Sequence, residues 1–161
     1  MSSFLPAKQA DNSDIRSAFE LLVSGFFAEG FLKLQNLSEI EKPAPLFNLG
    51  LCYLHCENFD LAAEFFEKSL LAIKKNGALT SVPKNDVYIK LREKEITEKA
   101  YLYPMSDDFS VQFTEQAKEN IILALIDASL ALSLTEKAKK LSNSLIGEEF
   151  TKVKWEINSR I

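Results

Sequence analysis

Apolar residues recur along most of this chain at intervals of three and four positions, which is the period of an α-helix. The clearest case is LFNLGLCYLHCENFDLAAEFFEKSL, residues 46–70, where two such runs are separated by a short polar stretch. Two prolines precede the first run and suit a first helical turn, and Asn58 is a suitable N-cap for the second. The pattern predicts one helix from about Ala44 to Cys56 and a second that ends at the C-cap signal Asn76-Gly77.

The same period in the rest of the chain predicts an all-α protein. Only 5 Gly and 5 Pro occur, and they lie between the periodic segments rather than inside them. Further helix pairs are predicted at 18–43 and 121–147, with a charged helix near 86–100. The last segment, 148–161, carries a single apolar stripe, which is typical of a helix that covers the end of a stacked array.

Large and small residues follow a fixed order through the two helices of residues 46–70. Gly50 and Ala62 are the small residues that would let the two backbones approach. The positions that carry the order are Leu46, Leu49, Gly50, Tyr53, Phe59, Ala62, Phe66 and Leu70. This order resembles the tetratricopeptide repeat (TPR), a helix pair of about 34 residues. In two weaker copies, Ala18 and Ile126 take the position of Gly50.

The spacing of these copies indicates about three repeats and an insert. Ala18 and Gly50 are 32 residues apart, near the repeat length, whereas Gly50 and Ile126 are 76 apart. The resemblance implies a right-handed α-solenoid within a single domain. Its expected parts are a flexible tail (1–11), repeat 1 (12–43), repeat 2 (44–77), an insert (78–113), repeat 3 (114–147) and a capping helix (148–161).

Composition and charge narrow the classes of function. The chain has 161 residues, of which 47% are hydrophobic and 26% charged, as in ordinary globular proteins. Its formal net charge of −4 does not favour binding to a nucleic-acid backbone or an anionic membrane. The start, MSSFLPAKQADNSD, lacks the charged and apolar regions of a signal peptide, and no apolar run reaches the roughly 18 residues of a membrane span. We therefore expect a cytoplasmic protein.

No catalytic, cofactor or metal centre is predicted. The phosphate-binding, dinucleotide-binding, zinc-protease and serine-hydrolase motifs are all absent. Cys52, His55 and Cys56 lie together on one helix, but structural zinc nearly always takes four ligands from more than one element. Cys56 is expected beside Leu49 in the packed face, where a free cysteine behaves as a small apolar residue. The cluster is therefore interpreted as helix packing, and the protein as non-enzymatic.

A second apolar face on the first helix of each pair bears most directly on function. In the TPR family this face lines a concave groove that takes an extended peptide or a helix. The resemblance assigns to the groove Ile15, Phe19, Leu22, Val23, Phe47, Leu51, Leu54, His55, Leu123, Asp127 and Leu130. Nearly all of these are apolar, and a helix that is apolar on two sides must be covered on two sides.

Three covers for this face stay open at the level of sequence. The insert could fold back through Tyr101, Leu102, Tyr103 and Met105, a partner could supply an apolar helix or peptide, or two copies could form a homodimer. The carboxylate clamp of some TPR domains is disfavoured, because only Asn48 matches its five positions.

The expected function is that of a protein–protein interaction scaffold or chaperone-like adaptor that binds an apolar helical or peptide segment. The alternative is a structural or self-associating protein whose groove is closed by its own insert or by a second copy.

Overall fold

The computed structural model describes residues 12–37, 40–75 and 83–160, and every regular element within these ranges is helical. The all-α prediction is thereby confirmed for this part of the chain. Its α-helices are α1 (Asn12–Val23), α2 (Phe27–Gln35), α3 (Pro43–His55), α4 (Phe59–Lys75), α5 (Asp86–Thr97), α6 (Asp107–Gln112), α7 (Thr114–Ala131), α8 (Thr135–Asn143) and α9 (Thr151–Asn158). The predicted tail at 1–11 and the Asn76-Gly77 cap lie outside the described residues.

Local sequence accounts for several of the helix ends. Helix α3 begins at Pro43, whose missing N–H costs nothing in a first turn. The Asn58 side chain accepts a hydrogen bond from the Leu61 N–H at 3.3 Å, which confirms it as the cap of α4. Asn85 caps α5 in the same way, accepting from the Tyr88 N–H at 2.9 Å.

The helices pack largely in chain order. Three antiparallel pairs form, α1 with α2, α3 with α4 and α7 with α8, and α2 packs against α3 while α9 packs against α8. Helix α4 packs directly against α7, although residues 76–113 separate them in sequence. The segment that includes α5, a 3-10 turn at Ala100–Leu102 and α6 therefore lies beside the pairs, where it contacts α7 and α3.

Helices α3 and α4 approach each other closely in the core. A Cβ atom added to Gly50 would lie 2.5 Å from two carbons of the Phe66 ring, so no larger residue fits without displacement. Phe66 and Ala62 are fully buried, and the Phe66 ring lies 5.4 Å from that of Phe47. The small residues at Gly50 and Ala62 thus sit where the two helices come together.

Helix α5 is attached to the rest of the molecule by a largely buried polar network. The Arg92 guanidinium donates to Asn120 Oδ1 at 2.7 Å and to Glu119 Oε2 at 3.3 Å. Lys84 donates to Glu149 Oε1 at 2.7 Å. Burial raises the pKa of Glu119, while the charges of Arg92 and Lys84 act in the opposite direction. These contacts hold α5 alongside the first half of α7.

Candidate functional site

Residues 100–105, between α5 and α6, cross the surface that separates α3 from α7. We call this segment the strap. Tyr101 and Met105 are buried in the main hydrophobic cluster, and Leu102 is packed against it, whereas Tyr103 is 70% exposed. The strap is therefore anchored by Tyr101 and Met105, and Tyr103 between them faces solvent.

Asn48 on α3 holds one end of the strap by its main chain. The side chain is 2% exposed. Its Nδ2 donates to the Met105 carbonyl at 2.8 Å, and its Oδ1 accepts from the Met105 N–H at 2.8 Å. One amide side chain thus satisfies both main-chain polar groups of a buried residue, which would otherwise cost free energy in this apolar setting.

Asp127 on α7 holds the other end. The Tyr101 hydroxyl donates to Asp127 Oδ2 at 2.7 Å, and Lys99 forms an ion pair with the same oxygen at 3.2 Å. Burial raises the pKa of Tyr101, and the charge and hydrogen bond of Asp127 act in the same direction. Tyr101 is therefore a neutral donor at physiological pH, suited to holding the strap rather than to acid–base chemistry.

An open apolar pocket lies where the C-terminal ends of α1 and α3 meet the strap. Its volume is about 450 Å³, which is in the size range of ligand pockets. The lining residues are Leu22, Val23, Gly25, Phe27, Leu51, Leu54, His55, Leu102, Tyr103 and Pro104. The rings of Phe27 and His55 pack at a centroid distance of 4.1 Å and form part of the wall. We call this cavity the α1/α3 pocket.

A second cavity, of about 690 Å³, lies between α5, α7 and α9. Tyr101 lines this cavity, whereas Leu102, Tyr103 and Pro104 line the α1/α3 pocket, so the strap stands between the two. Its lining mixes apolar side chains with carboxylates and lysines, and it includes the exposed Trp155. We call it the α7/α9 cavity.

The residues that the sequence assigned to one groove do not share one environment. Leu22, Val23, Leu51, Leu54 and His55 line the α1/α3 pocket, and Leu123, Asp127 and Leu130 line the α7/α9 cavity. Ile15 and Phe47 are buried in the two hydrophobic clusters, and Phe19, which is partly buried, lines neither of these cavities.

Cys52, His55 and Cys56 do not share one environment. Cys52 is buried, and burial raises the pKa of its thiol to about 11. Cys56 is exposed, which corrects the expectation that it packs beside Leu49. The helix ends at His55 and Cys56 is its C-cap residue with non-helical main-chain angles, so a helix wheel does not give the direction of its side chain. Within 12–37, 40–75 and 83–160, no group of three or more His, Cys, Asp or Glu residues is arranged to hold a metal ion.

The residue whose role the sequence did not reveal is Asn48. Its only visible signal is that it is an amide on an otherwise apolar helix, and its partner lies 57 residues away. Among the described helices, none is long and apolar enough to cross a membrane.

Comparisons of the chain with protein-family models, with curated proteins and with solved structures give no match.

Proposed function

We propose that this chain is a TPR-like, right-handed stack of helix pairs that acts as a non-enzymatic scaffold or adaptor in protein–protein interaction. In this proposal the α1/α3 pocket receives an apolar helical or extended segment of a protein partner in the cytoplasm. The TPR-like arrangement is supported by the packing of α4 directly against α7 and by the contact of Gly50 with Phe66.

The observation that carries the proposal is the composition of the α1/α3 pocket. Five residues expected on one binding face, from two different helices, line a single open cavity. Val23 is 59% exposed and stands at this cavity with the exposed Tyr103. His55 is the only ionisable group in the lining apart from the Tyr103 phenol, so the pocket suits apolar side chains rather than an ionic ligand.

The alternative, a groove closed by the chain's own insert, draws support from the strap. Asp127 on the expected binding face and Asn48 beside that face on α3 bind Tyr101 and Met105 of the same chain. This closure leaves the α1/α3 pocket open, so an apolar surface remains there that a partner would cover.

Charge insertion at the pocket tests the proposal. Val23→Asp places a carboxylate in the lining without disturbing a buried residue, and Leu71→Asp is its control because Leu71 is 58% exposed on α4 and lies outside the pocket. Affinity capture with quantitative mass spectrometry should show specific partners that Leu71→Asp retains and Val23→Asp loses. The purified partner should then bind Val23→Asp at least about tenfold more weakly, which corresponds to 1.4 kcal/mol.

Equal binding of the partner to wild type and Val23→Asp contradicts the proposed pocket. Sedimentation of the protein alone tests the alternative that the chain forms a homodimer through this pocket. A concentration-dependent dimer that Val23→Asp dissociates would assign the pocket to a second copy of this chain instead.

A further inference from the structure

We propose that the strap is an intramolecular occupant of a peptide-binding face, and that it detaches to admit an extended segment of a protein partner with the same chemistry. This inference rests on the proposed function and deepens it by naming the partner's chemistry. That segment carries an aromatic residue and, four positions later, an unbranched apolar residue in place of Tyr101 and Met105.

The way in which Asn48 binds the strap does not depend on the bound side chain. Its amide pairs with both the N–H and the carbonyl of Met105, each at 2.8 Å. Every non-proline residue in an extended chain presents the same two groups. Asn48 is therefore able to bind the main chain of any extended segment that brings a suitable side chain into the Met105 position.

Two anchors set the register of the strap. The Met105 side chain is 4% exposed, and the buried Tyr101 donates its hydroxyl to Asp127 at 2.7 Å. Between them Tyr103 is exposed and has extended main-chain angles of φ −78° and ψ 151°. Two buried anchors, joined through a 3-10 turn that ends at Leu102 and the extended, exposed Tyr103, resemble a bound linear peptide, in which pockets select some side chains and main-chain hydrogen bonds supply affinity.

The elements on either side of the strap have attachments of their own. Helix α5 is held by Arg92 through Glu119 and Asn120. Helix α6 packs against α3 and α7, with Phe109 against the main hydrophobic cluster, and Asp107 forms an ion pair with Lys42 at 3.2 Å. Detachment of residues 100–105 therefore leaves both neighbouring helices in contact with the rest of the molecule.

A peptide with the sequence of residues 99–106, KAYLYPMS, is the probe for this proposal. Its binding is measured by fluorescence polarisation on wild type, Met105→Ala and Leu71→Ala. Met105→Ala removes one anchor of the strap and leaves the face beneath intact, whereas Leu71→Ala changes an exposed residue of α4 that lines neither cavity. The peptide should bind Met105→Ala at least about tenfold more tightly than wild type, and Leu71→Ala should resemble wild type. Methylation of the peptide's methionine nitrogen removes the N–H from which Asn48 Oδ1 would accept a hydrogen bond. This methylation should weaken binding of the peptide to Met105→Ala at least about tenfold.

The proposal is wrong if Met105→Ala keeps a helical spectrum and a cooperative melt but binds the peptide no better than wild type does. If Met105→Ala does not fold, hydrogen exchange of the wild-type protein tests whether the strap detaches. The Met105 amide should exchange through local opening, faster than the amides in the middle of α7. Equal protection of the two, reached only through global unfolding, would refute detachment.

The strap supplies Leu102, Tyr103 and Pro104 to the lining of the α1/α3 pocket, but the two experiments distinguish failure of the strap proposal from failure of the pocket proposal. Peptide binding to Met105→Ala together with an unaffected Val23→Asp variant would contradict the proposed pocket alone. The reverse result would contradict the strap proposal alone.

Discussion

Replacement of Asn48 by alanine should destabilise the protein far more than the loss of an ordinary surface amide. The variant loses two hydrogen bonds of 2.8 Å to Met105 and leaves the main-chain N–H and carbonyl of that residue without these partners. Met105 is nearly fully buried, so bulk water does not replace the lost bonds. Each bond contributes about 1 kcal/mol net, and each unpaired buried group costs about 1–3 kcal/mol. Counted from the two unpaired groups, the loss in the free energy of unfolding is about 2–6 kcal/mol, and we expect a value of about 3 kcal/mol in the lower half of this range.

Urea denaturation followed by circular dichroism measures this loss directly. The midpoint should fall while the slope stays constant, and the melting temperature should fall by about 6–12 °C for a domain of this size. Asn143→Ala is the matched control, because Asn143 is exposed on α8, and it should change stability by less than about 0.5 kcal/mol. A loss below about 1 kcal/mol for Asn48→Ala would refute the account of how α3 holds the strap.

Three further predictions follow from the core, the thiols and the buried network. Gly50→Ala should lower the free energy of unfolding by about 1–3 kcal/mol, because the new methyl group meets the Phe66 ring at 2.5 Å, and an unchanged denaturation midpoint would contradict this. A thiol reagent at pH 8 should modify Cys56 rapidly and Cys52 only on unfolding, so two equally fast thiols would contradict the burial of Cys52 and its raised pKa. The raised pKa of Glu119 means that the folded state binds its proton more tightly than the unfolded state, so this group's contribution to stability falls as pH rises above about 4.3. The stability of Glu119→Gln relative to wild type should therefore increase with pH above that value, and a pH-independent difference would contradict the assignment.

The helix pairs were predictable because their signals are local. Apolar period, prolines and an N-cap defined α3 and α4 within one or two residues, and Gly50 marked the close contact with Phe66. The expected packing of Cys56 beside Leu49 was nevertheless wrong. A helical period gives the direction of a side chain only within a helix, and Cys56 follows the last residue of α3.

The strap was named only as one of three covers, because its contacts are distant in sequence. The pairing of Asn48 with Met105 spans 57 residues, and that of Tyr101 with Asp127 spans 26. Neither pair has a local spacing that predicts contact. The division of the expected groove into two cavities follows from these contacts and could not be derived from the sequence pattern.

Site-specific photo-crosslinking in the source cell is the most direct test of a protein-binding α1/α3 pocket. A photoreactive amino acid replaces either Val23 in the pocket or Leu71 outside it. The two positions are almost equally exposed, Val23 at 59% and Leu71 at 58%. The account predicts a discrete crosslink from position 23 to an apolar segment of one protein, and no such product from position 71. Equal crosslinking from both positions, or none from position 23, would contradict it.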